Sequence, residues 1–439
     1  MSPVSETGPP AVRLRVPGDK SVGHRALIVA ALAPGPMRVE DLPDATDVRS
    51  TARALAAVGV RVAWPEGAES ARVAPPGEWR HGASIDAGNS GTTARLLTGL
   101  FAGLGLAATI DGDASLRERP MDRVVYPLQA MGARIEYVER TERLPIRLAH
   151  RATGHLRVLR YRSRIASAQV KGALVFAALA AGVEFEMWEP ARSRDHTERL
   201  LRHLGVPIEF GPEERGAHLK IPARAREHLR ARAIRVPGDP SSAAFLLAAG
   251  VLAGRPVSVE GILLNETRTK YLEVLEAQGA EVEIELSGEL SGEPVGKVTA
   301  GPGPRGLSAV DIGPEGMAGL IDEVPILAVL AAKAEGVTTI RGAGELRLKE
   351  SDRLAALAAN LSALGIEARE TRDGLAIHGR PDLVPAGRVP AFGDHRIAMA
   401  FGALGAVAGA DLRVDDPSCA AISYPGFWAD LEKVTNHAG

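Results

Sequence analysis

The sequence predicts an α/β (α+β) protein of two domains, each built from three βαβαββ repeat units whose buried helices lie inside a shell of sheet. Three observations carry this. Six times a polar turn marked by Gly or Ser leads into an Ala/Leu/Val-rich helix that stops at glycine, at residues 16–35, 86–105, 164–182, 236–254, 321–336 and 392–409. The closing glycines recur every 70 to 82 residues, and self-similarity at a steady period marks a repeat architecture. A second, amphipathic helix follows each of the first five after about 25 residues, closing at Gly59, Gly132, Gly205, Gly279 and Gly365. Finally, Arg15-Val16-Pro17-Gly18-Asp19 returns as Arg235-Val236-Pro237-Gly238-Asp239, an offset of 220 in a chain of 439 residues. Two halves of three units follow.

Within a unit the first helix is apolar on every side, as in Ala173-Leu174-Val175-Phe176-Ala177-Ala178-Leu179, and such a helix is buried. The second has one apolar face, as at 197–204, and ends near Gly with a short strand beyond it, expected at 206–210. Alternation at Glu281-Val282-Glu283-Ile284-Glu285-Leu286 predicts strand. The Gly- and Pro-rich stretches 287–303 and 380–388 read as surface loops.

Composition narrows the function. A net charge of −2 argues against a nucleic-acid binder driven by bulk charge. The one cysteine, Cys419, excludes an internal disulfide and a multi-thiolate metal site. Residues 1–10 are polar, with no signal-peptide pattern, and no run approaches the roughly 18 apolar residues of a membrane span. A soluble cytoplasmic protein is expected. Only eight of the 52 basic residues are lysines, Lys171 and Lys349 among them, so each is worth a question.

The helices are interchangeable; the turns that open them are not. Unit one opens with Pro17-Gly18-Asp19-Lys20-Ser21-Val22-Gly23-His24-Arg25. Lys and Arg at a helix N-terminus, already attractive to anions, suit a phosphate or carboxylate better than a cap. Unit two has Gly88-Asn89-Ser90-Gly91-Thr92-Thr93, then Arg119 ahead of Pro120 at the expected start of its second helix. Unit three has Ser167-Ala168-Gln169-Val170-Lys171 and Ser193-Arg194-Asp195-His196. Unit five reverses the sign with Asp322-Glu323, and its second helix is expected to carry Lys349 and Arg353 on one face. Unit six opens with Asp394-His395-Arg396. Each has an ordinary reading as a capped turn or a solvated charged helix. Together they predict an anion-binding cleft between the domains, with carboxylates able to move protons. Unit four, with Pro240-Ser241-Ser242, keeps the shape without the charges.

At these residues the chain resembles the 5-enolpyruvylshikimate-3-phosphate synthases (3-phosphoshikimate 1-carboxyvinyltransferases). The matching stretches are 17–25 (PGDKSVGHR), 88–95 (GNSGTTAR), 116–121 (LRERPM), 167–171 (SAQVK), 193–199 (SRDHTER), Asp322-Glu323, 346–353 (LRLKESDR) and 394–396 (DHR), in order over nearly the whole chain. The resemblance implies an inside-out α/β barrel fold, with one domain at 21–236, the other at 1–20 plus 237–439, and hinges near 20–21 and 235–240. It implies transfer of the enolpyruvyl group of phosphoenolpyruvate to the 5-hydroxyl of shikimate 3-phosphate, in the pathway to chorismate and the aromatic amino acids.

By the same resemblance Lys20, Ser21, Arg25, Ser167, Ala168, Gln169, Ser193, Asp322 and Lys349 would hold shikimate 3-phosphate. Lys20, Gly91, Arg119, Gln169, Arg353 and Arg396 would hold phosphoenolpyruvate. Asn89, Thr92, Arg95, Arg194, Asp394 and His395 would support them. Asp322 would be the base and Glu350 the proton donor, with Lys20 and Lys349 beside them. No metal or cofactor, a monomer, and competition by glyphosate against phosphoenolpyruvate are implied. The chain departs from some members at Glu345, where they have Asn, and at Ala420-Ala421-Ile422-Ser423-Tyr424, where they carry a Lys. The rivals are the sister transferase acting on UDP-N-acetylglucosamine, whose members usually have Asn after the first Lys where this chain has Ser21, and a non-catalytic anion-binding scaffold.

Overall fold

The structure, a computed structural model, describes residues 10–151 and 156–436. Of the polar N-terminal stretch, residues 1–9 lie outside them. By contact the chain divides into a first unit, Pro17–Pro237 with Glu289–Glu293, and a second unit, Met1–Val16 with Gly238–Gly288 and Pro294–Gly439. The chain changes unit between Val16 and Pro17 and between Pro237 and Gly238, so the helix that begins at Lys20 lies wholly in the first unit.

Repeat two shows the common plan. Strands Ala83–Asp86 and Ala108–Asp111 run parallel, joined by helix Gly91–Leu104, because a parallel pair needs a crossover. Ile146–Leu148 lies antiparallel to the second strand, and Ile135–Tyr137 antiparallel to it in turn. Ile85, Ile110, Ile146 and Leu148 are buried at alternate positions, as the pleat requires. Repeats three and five repeat this order with leading strands Leu159–Arg162 and Asp311–Ile312.

Repeats one and four exchange their leading strands. Ile234–Arg235 pairs in parallel with Met37–Glu40 of repeat one, and Val12–Leu14 with Val257–Leu263 of repeat four. The duplicated Arg-Val-Pro-Gly-Asp segments follow these strands, so each three-repeat unit is completed by a strand from the other half of the sequence. Gly18 is required there, since a Cβ would stand 2.0 Å from the Asp41 carbonyl oxygen. Repeat six keeps only the parallel pair Ala386–Val389 and Asp411–Val414, followed by helix Phe427–Thr435.

The apolar helices form the cores. In the first unit, Gly99 and Gly103 of helix Gly91–Leu104 face Ala173 and Ala177 of helix Ala168–Ala181, and a Cβ on Gly99 would sit 2.0 Å from the Ala173 carbonyl oxygen. The contact is backbone to backbone. In the second unit, helices Pro240–Leu252, Val324–Ala331 and His395–Leu404 are buried along their whole lengths.

Several local expectations differ. Gly105 and Gly182 cap their helices in the left-handed region, but helix Lys20–Leu32 stops at Ala33, because Pro34 has no N–H to continue it. Helices Val324–Ala331 and His395–Leu404 likewise end ahead of Gly336 and Gly409. The strand expected at 206–210 forms at Glu209–Pro212. The expected loop 287–303 is mostly hairpin, with strands Ala280–Leu290 and Glu293–Pro302. Gly296 marks close strand pairing rather than a loop, for its Cβ would lie 2.1 Å from the Glu285 carbonyl oxygen. The stretch 380–388 also runs into a strand, Ala386–Val389.

Candidate active site

In the first unit Asp19 caps helix Lys20–Leu32 by accepting the Val22 N–H at 2.7 Å, which places Lys20 and Ser21 on the opening turn and Arg25 one turn on. Lys20 Nζ reaches Asp47 Oδ2 at 2.8 Å. Arg25 donates to Thr197 Oγ1 at 2.7 Å, to the Ser21 carbonyl at 2.9 Å and to the Ala168 carbonyl at 3.3 Å. Those three acceptors are uncharged. Burial lowers the Arg25 pKa to about 10, against the pull of Glu198 and Asp19, with Arg194 adding to the lowering; the group stays cationic at neutral pH.

Beneath Lys20 runs a buried polar chain. His24 Nδ1 lies 2.7 Å from Thr51 Oγ1, which lies 2.7 Å from Thr93 Oγ1, itself 2.8 Å from Ser90 Oγ. Burial, then Lys20 and Arg25, hold the His24 pKa well below its ordinary value, so the ring is neutral.

Repeats two and three meet at Gln169, which donates to Thr92 Oγ1 at 3.1 Å and accepts from Arg95 Nη1 at 2.8 Å. Arg119 donates to Asn89 Oδ1 at 2.6 Å, and Asn89 in turn donates to Asp113 at 2.7 Å. Contrary to expectation, Arg119 does not open a helix. It lies in the link between Ala114–Arg117 and Asp122–Met131. Gly91 leaves the space between these groups: a Cβ there would stand 2.6 Å from Arg95 Nη1 and 3.6 Å from Arg119 Nη1. Ser167 caps helix Ala168–Ala181, and its backbone N–H and the Ser193 hydroxyl both donate to Glu189 Oε1, at 3.0 and 2.8 Å.

In the second unit Arg353 is buried at the start of helix Arg353–Ala363 and is surrounded by acid. Its Nε donates to Asp394 Oδ2 at 2.8 Å and its Nη2 to Glu350 Oε2 at 2.7 Å, while Nη1 lies 3.9 Å from Asp322 Oδ1. Arg396 donates to the Asp322 carbonyl at 2.9 Å, and its Nη2 lies 3.7 Å from Asp322 Oδ2. Ser351 donates to Asp394 at 3.0 Å. Burial would raise the Asp394 carboxyl, but Arg353 and His395 outweigh it and the pKa is lowered. Asp322, Glu350, Arg353, Asp394 and Arg396 thus converge, with His395 buried beside them.

Lys349 and Arg353 do not share a helical face as expected. The segment is a turn of 3-10 helix, Gly344–Leu348, then extended backbone at Lys349, with a new helix capped by Asp352. Lys349 Nζ lies instead 3.3 Å from Glu345 Oε1. Sequence reasoning missed Asp47, Thr197, Glu189 and Glu198. Thr197 and Glu198 lie within the matching stretch 193–199, and Lys171, one of the few lysines, is buried against Glu189 and Glu198. No group of His, Cys, Asp and Glu suited to a metal ion occurs among the described residues, nor is any of their helices long and apolar enough to cross a membrane.

Comparison with known proteins gives the family. The family model for EPSP synthase (3-phosphoshikimate 1-carboxyvinyltransferase) matches residues 6–431. The chain is 49% identical over 432 residues to a 3-phosphoshikimate 1-carboxyvinyltransferase of Thermus thermophilus, covering 97% of this chain and 96% of that one. It is 41% identical over 428 residues to the Aquifex aeolicus protein of the same name, covering 96% of each. The solved EPSP synthase of Acinetobacter baumannii superposes with a TM-score of 0.81 at 32% identity, covering 97% of this chain and 95% of that one. The enolpyruvyl transferase NikO of Streptomyces tendae shares the fold, with a TM-score of 0.73 at 22% identity and coverage of 97% and 94%. With a family model spanning almost every residue and relatives this similar end to end, the chain belongs to the EPSP synthase family.

Proposed function

We propose that the chain transfers the enolpyruvyl group of phosphoenolpyruvate to the 5-hydroxyl of shikimate 3-phosphate and releases phosphate, as a 3-phosphoshikimate 1-carboxyvinyltransferase of the shikimate pathway. The observation that carries this reading is the placement of Asp322 within 4 Å of two guanidinium groups, Arg353 at 3.9 Å and Arg396 at 3.7 Å, with Glu350 bonded to Arg353. A carboxylate beside paired cations suits proton transfer next to an anionic substrate.

Asp322 takes the proton of the 5-hydroxyl as that oxygen attacks C2 of phosphoenolpyruvate. Glu350 gives its proton to the methylene carbon, which becomes the methyl group of a tetrahedral ketal. In elimination the Glu350 carboxylate takes a proton back from that methyl group, the enol double bond re-forms as the carbon–oxygen bond to phosphate breaks, and phosphate leaves with the proton that Asp322 had taken. Arg353, Arg396 and Arg119 match phosphate and carboxylate through their planar forks. Lys20, Ser21, Arg25, Ser167, Ala168, Gln169, Ser193 and Lys349 hold shikimate 3-phosphate, and Lys20, Gly91 and Gln169 complete the phosphoenolpyruvate contacts. Glyphosate competes with phosphoenolpyruvate, and the enzyme works as a monomer in the cytoplasm.

The test is phosphate release from phosphoenolpyruvate with shikimate 3-phosphate, with UDP-N-acetylglucosamine, or with no acceptor. Release with shikimate 3-phosphate alone supports the reading. Release with the nucleotide sugar assigns the sister reaction, and release with neither leaves a scaffold.

A further inference from the structure

We propose that Glu189, held by Lys171, is a positioning residue that sets the two serines Ser167 and Ser193 for the phosphate of the substrate. This rests on the function proposed above, and no residue motif of the sequence pointed to Glu189. The carboxylate sits at the end of strand Phe185–Glu189, next to the opening turn of helix Ala168–Ala181, and is buried. Its Oε1 accepts the Ser167 backbone N–H at 3.0 Å and the Ser193 hydroxyl at 2.8 Å, and Ser193 Oγ also lies 2.9 Å from Oε2. Oε2 meets the Lys171 ammonium at 2.9 Å. Lys171 is held on its other side by Glu198 Oε1 at 2.7 Å.

Each contact has a consequence for an arriving phosphate. Ser167 Oγ accepts the Val170 N–H at 3.4 Å, while Glu189 takes its backbone N–H, so the serine is fixed at both ends and keeps its hydroxyl proton to donate. Ser193 has one hydroxyl proton, and Glu189 attracts it. That proton turns to the phosphate only when the ligand competes with the carboxylate. A bare carboxylate so close to a phosphate site would repel the ligand, and the Lys171 ammonium, shared with Glu198, offsets part of that repulsion. Burial alone would lower the Lys171 pKa, but Glu198 and Glu189 outweigh it, so the ammonium persists. Burial raises the Glu198 carboxyl even against Lys171.

The arrangement separates two roles by mutation. Glu189→Gln keeps the shape but sets an amide N–H₂ against a donor, the Lys171 ammonium in one orientation or the Ser167 backbone N–H in the other. Losing hydrogen bonds to a charged group should raise the dissociation constant and KM for shikimate 3-phosphate about tenfold or more. The KM for phosphoenolpyruvate at saturating shikimate 3-phosphate should move far less. The single variant leaves Lys171 paired with Glu198 alone, so the triple variant Glu189→Gln/Lys171→Met/Glu198→Gln, which removes every charge of the cluster, is measured beside it. If Glu189 positions the serines, the triple variant, with no buried charge left to balance, keeps its thermal stability while weak shikimate 3-phosphate binding remains. Recovery of binding together with stability would reduce Glu189 to a counter-ion and overturn the proposal. Unchanged binding in Glu189→Gln, with the wild type binding normally, overturns this inference alone. A wild-type chain that binds no shikimate 3-phosphate overturns the proposed function with it.

Discussion

Asp394 grips Arg353 with both carboxylate oxygens, Oδ2 at 2.8 Å from Nε and Oδ1 at 3.2 Å from Nη2, and both side chains are almost wholly buried. The same Oδ1 accepts the Arg396 backbone N–H at 2.9 Å. One acid therefore sets the orientation of one arginine and caps the helix that carries the other. Asp394→Ala leaves a buried guanidinium short of its main partner, a loss of about 3–5 kcal/mol. Denaturant unfolding measures this, and the KM for phosphoenolpyruvate should rise in the same variant. A stability change within experimental error would show that the pair is dispensable.

Asp322 stands 3.9 Å from Arg353 and 3.7 Å from Arg396, within reach of both guanidinium groups. Asp322→Ala should lower kcat by at least about 100-fold, the scale of general-base catalysis, while shikimate 3-phosphate still binds. Titration calorimetry and steady-state rates separate the two. Unchanged turnover would remove Asp322 from the role of base.

Gly91→Ala places a methyl group 2.6 Å from Arg95 Nη1, so the guanidinium must shift and its bond to Gln169 must loosen. The variant should fold normally, because the far end of a flexible side chain gives way. It should bind phosphoenolpyruvate less tightly and glyphosate less tightly still. Competition assays against phosphoenolpyruvate read both, and an unaltered glyphosate inhibition constant would contradict this account of Gly91.

His24 gives stability a pH dependence. Its folded pKa is depressed by burial and by Lys20 and Arg25, whereas the unfolded chain titrates near the ordinary value of 6.5. Its contribution is complete above that pH and is lost as pH falls toward the folded pKa, because only the unfolded state takes up the proton. The slope from this one group approaches about 1.4 kcal/mol per pH unit. His24→Asn should flatten the stability profile between about pH 6.5 and 5, measured by urea unfolding. An unchanged slope would mean that His24 protonates in the folded state.

The helices were legible because a segment such as 173–179 is apolar on every side, and only a core accommodates that. The exchange of Val12–Leu14 and Ile234–Arg235 entered only through the domain bounds that the resemblance implied, not from the residues themselves. The two duplicated segments look alike, and nothing local says which sheet a strand joins. Charged turns such as Pro17–Gly18–Asp19–Lys20 marked the ends proposed to bind anions, since packing has no need of their cations. Their partners stayed hidden. Asp47 and Thr197 sit on second helices whose sequences read as ordinary amphipathic surface, and only folding brings them to Lys20 and Arg25. Lys349 misled for a local reason: a spacing of four suggests one helical face only while the helix is continuous, and here Asp352 starts a new one.

The most direct measurement is product analysis by nuclear magnetic resonance after incubation with phosphoenolpyruvate and shikimate 3-phosphate. The account predicts an enolpyruvyl ether on the 5-oxygen, formed with one inorganic phosphate per ether and dependent on both substrates. Phosphate released without that ether, or no consumption of phosphoenolpyruvate in the presence of shikimate 3-phosphate, would contradict it.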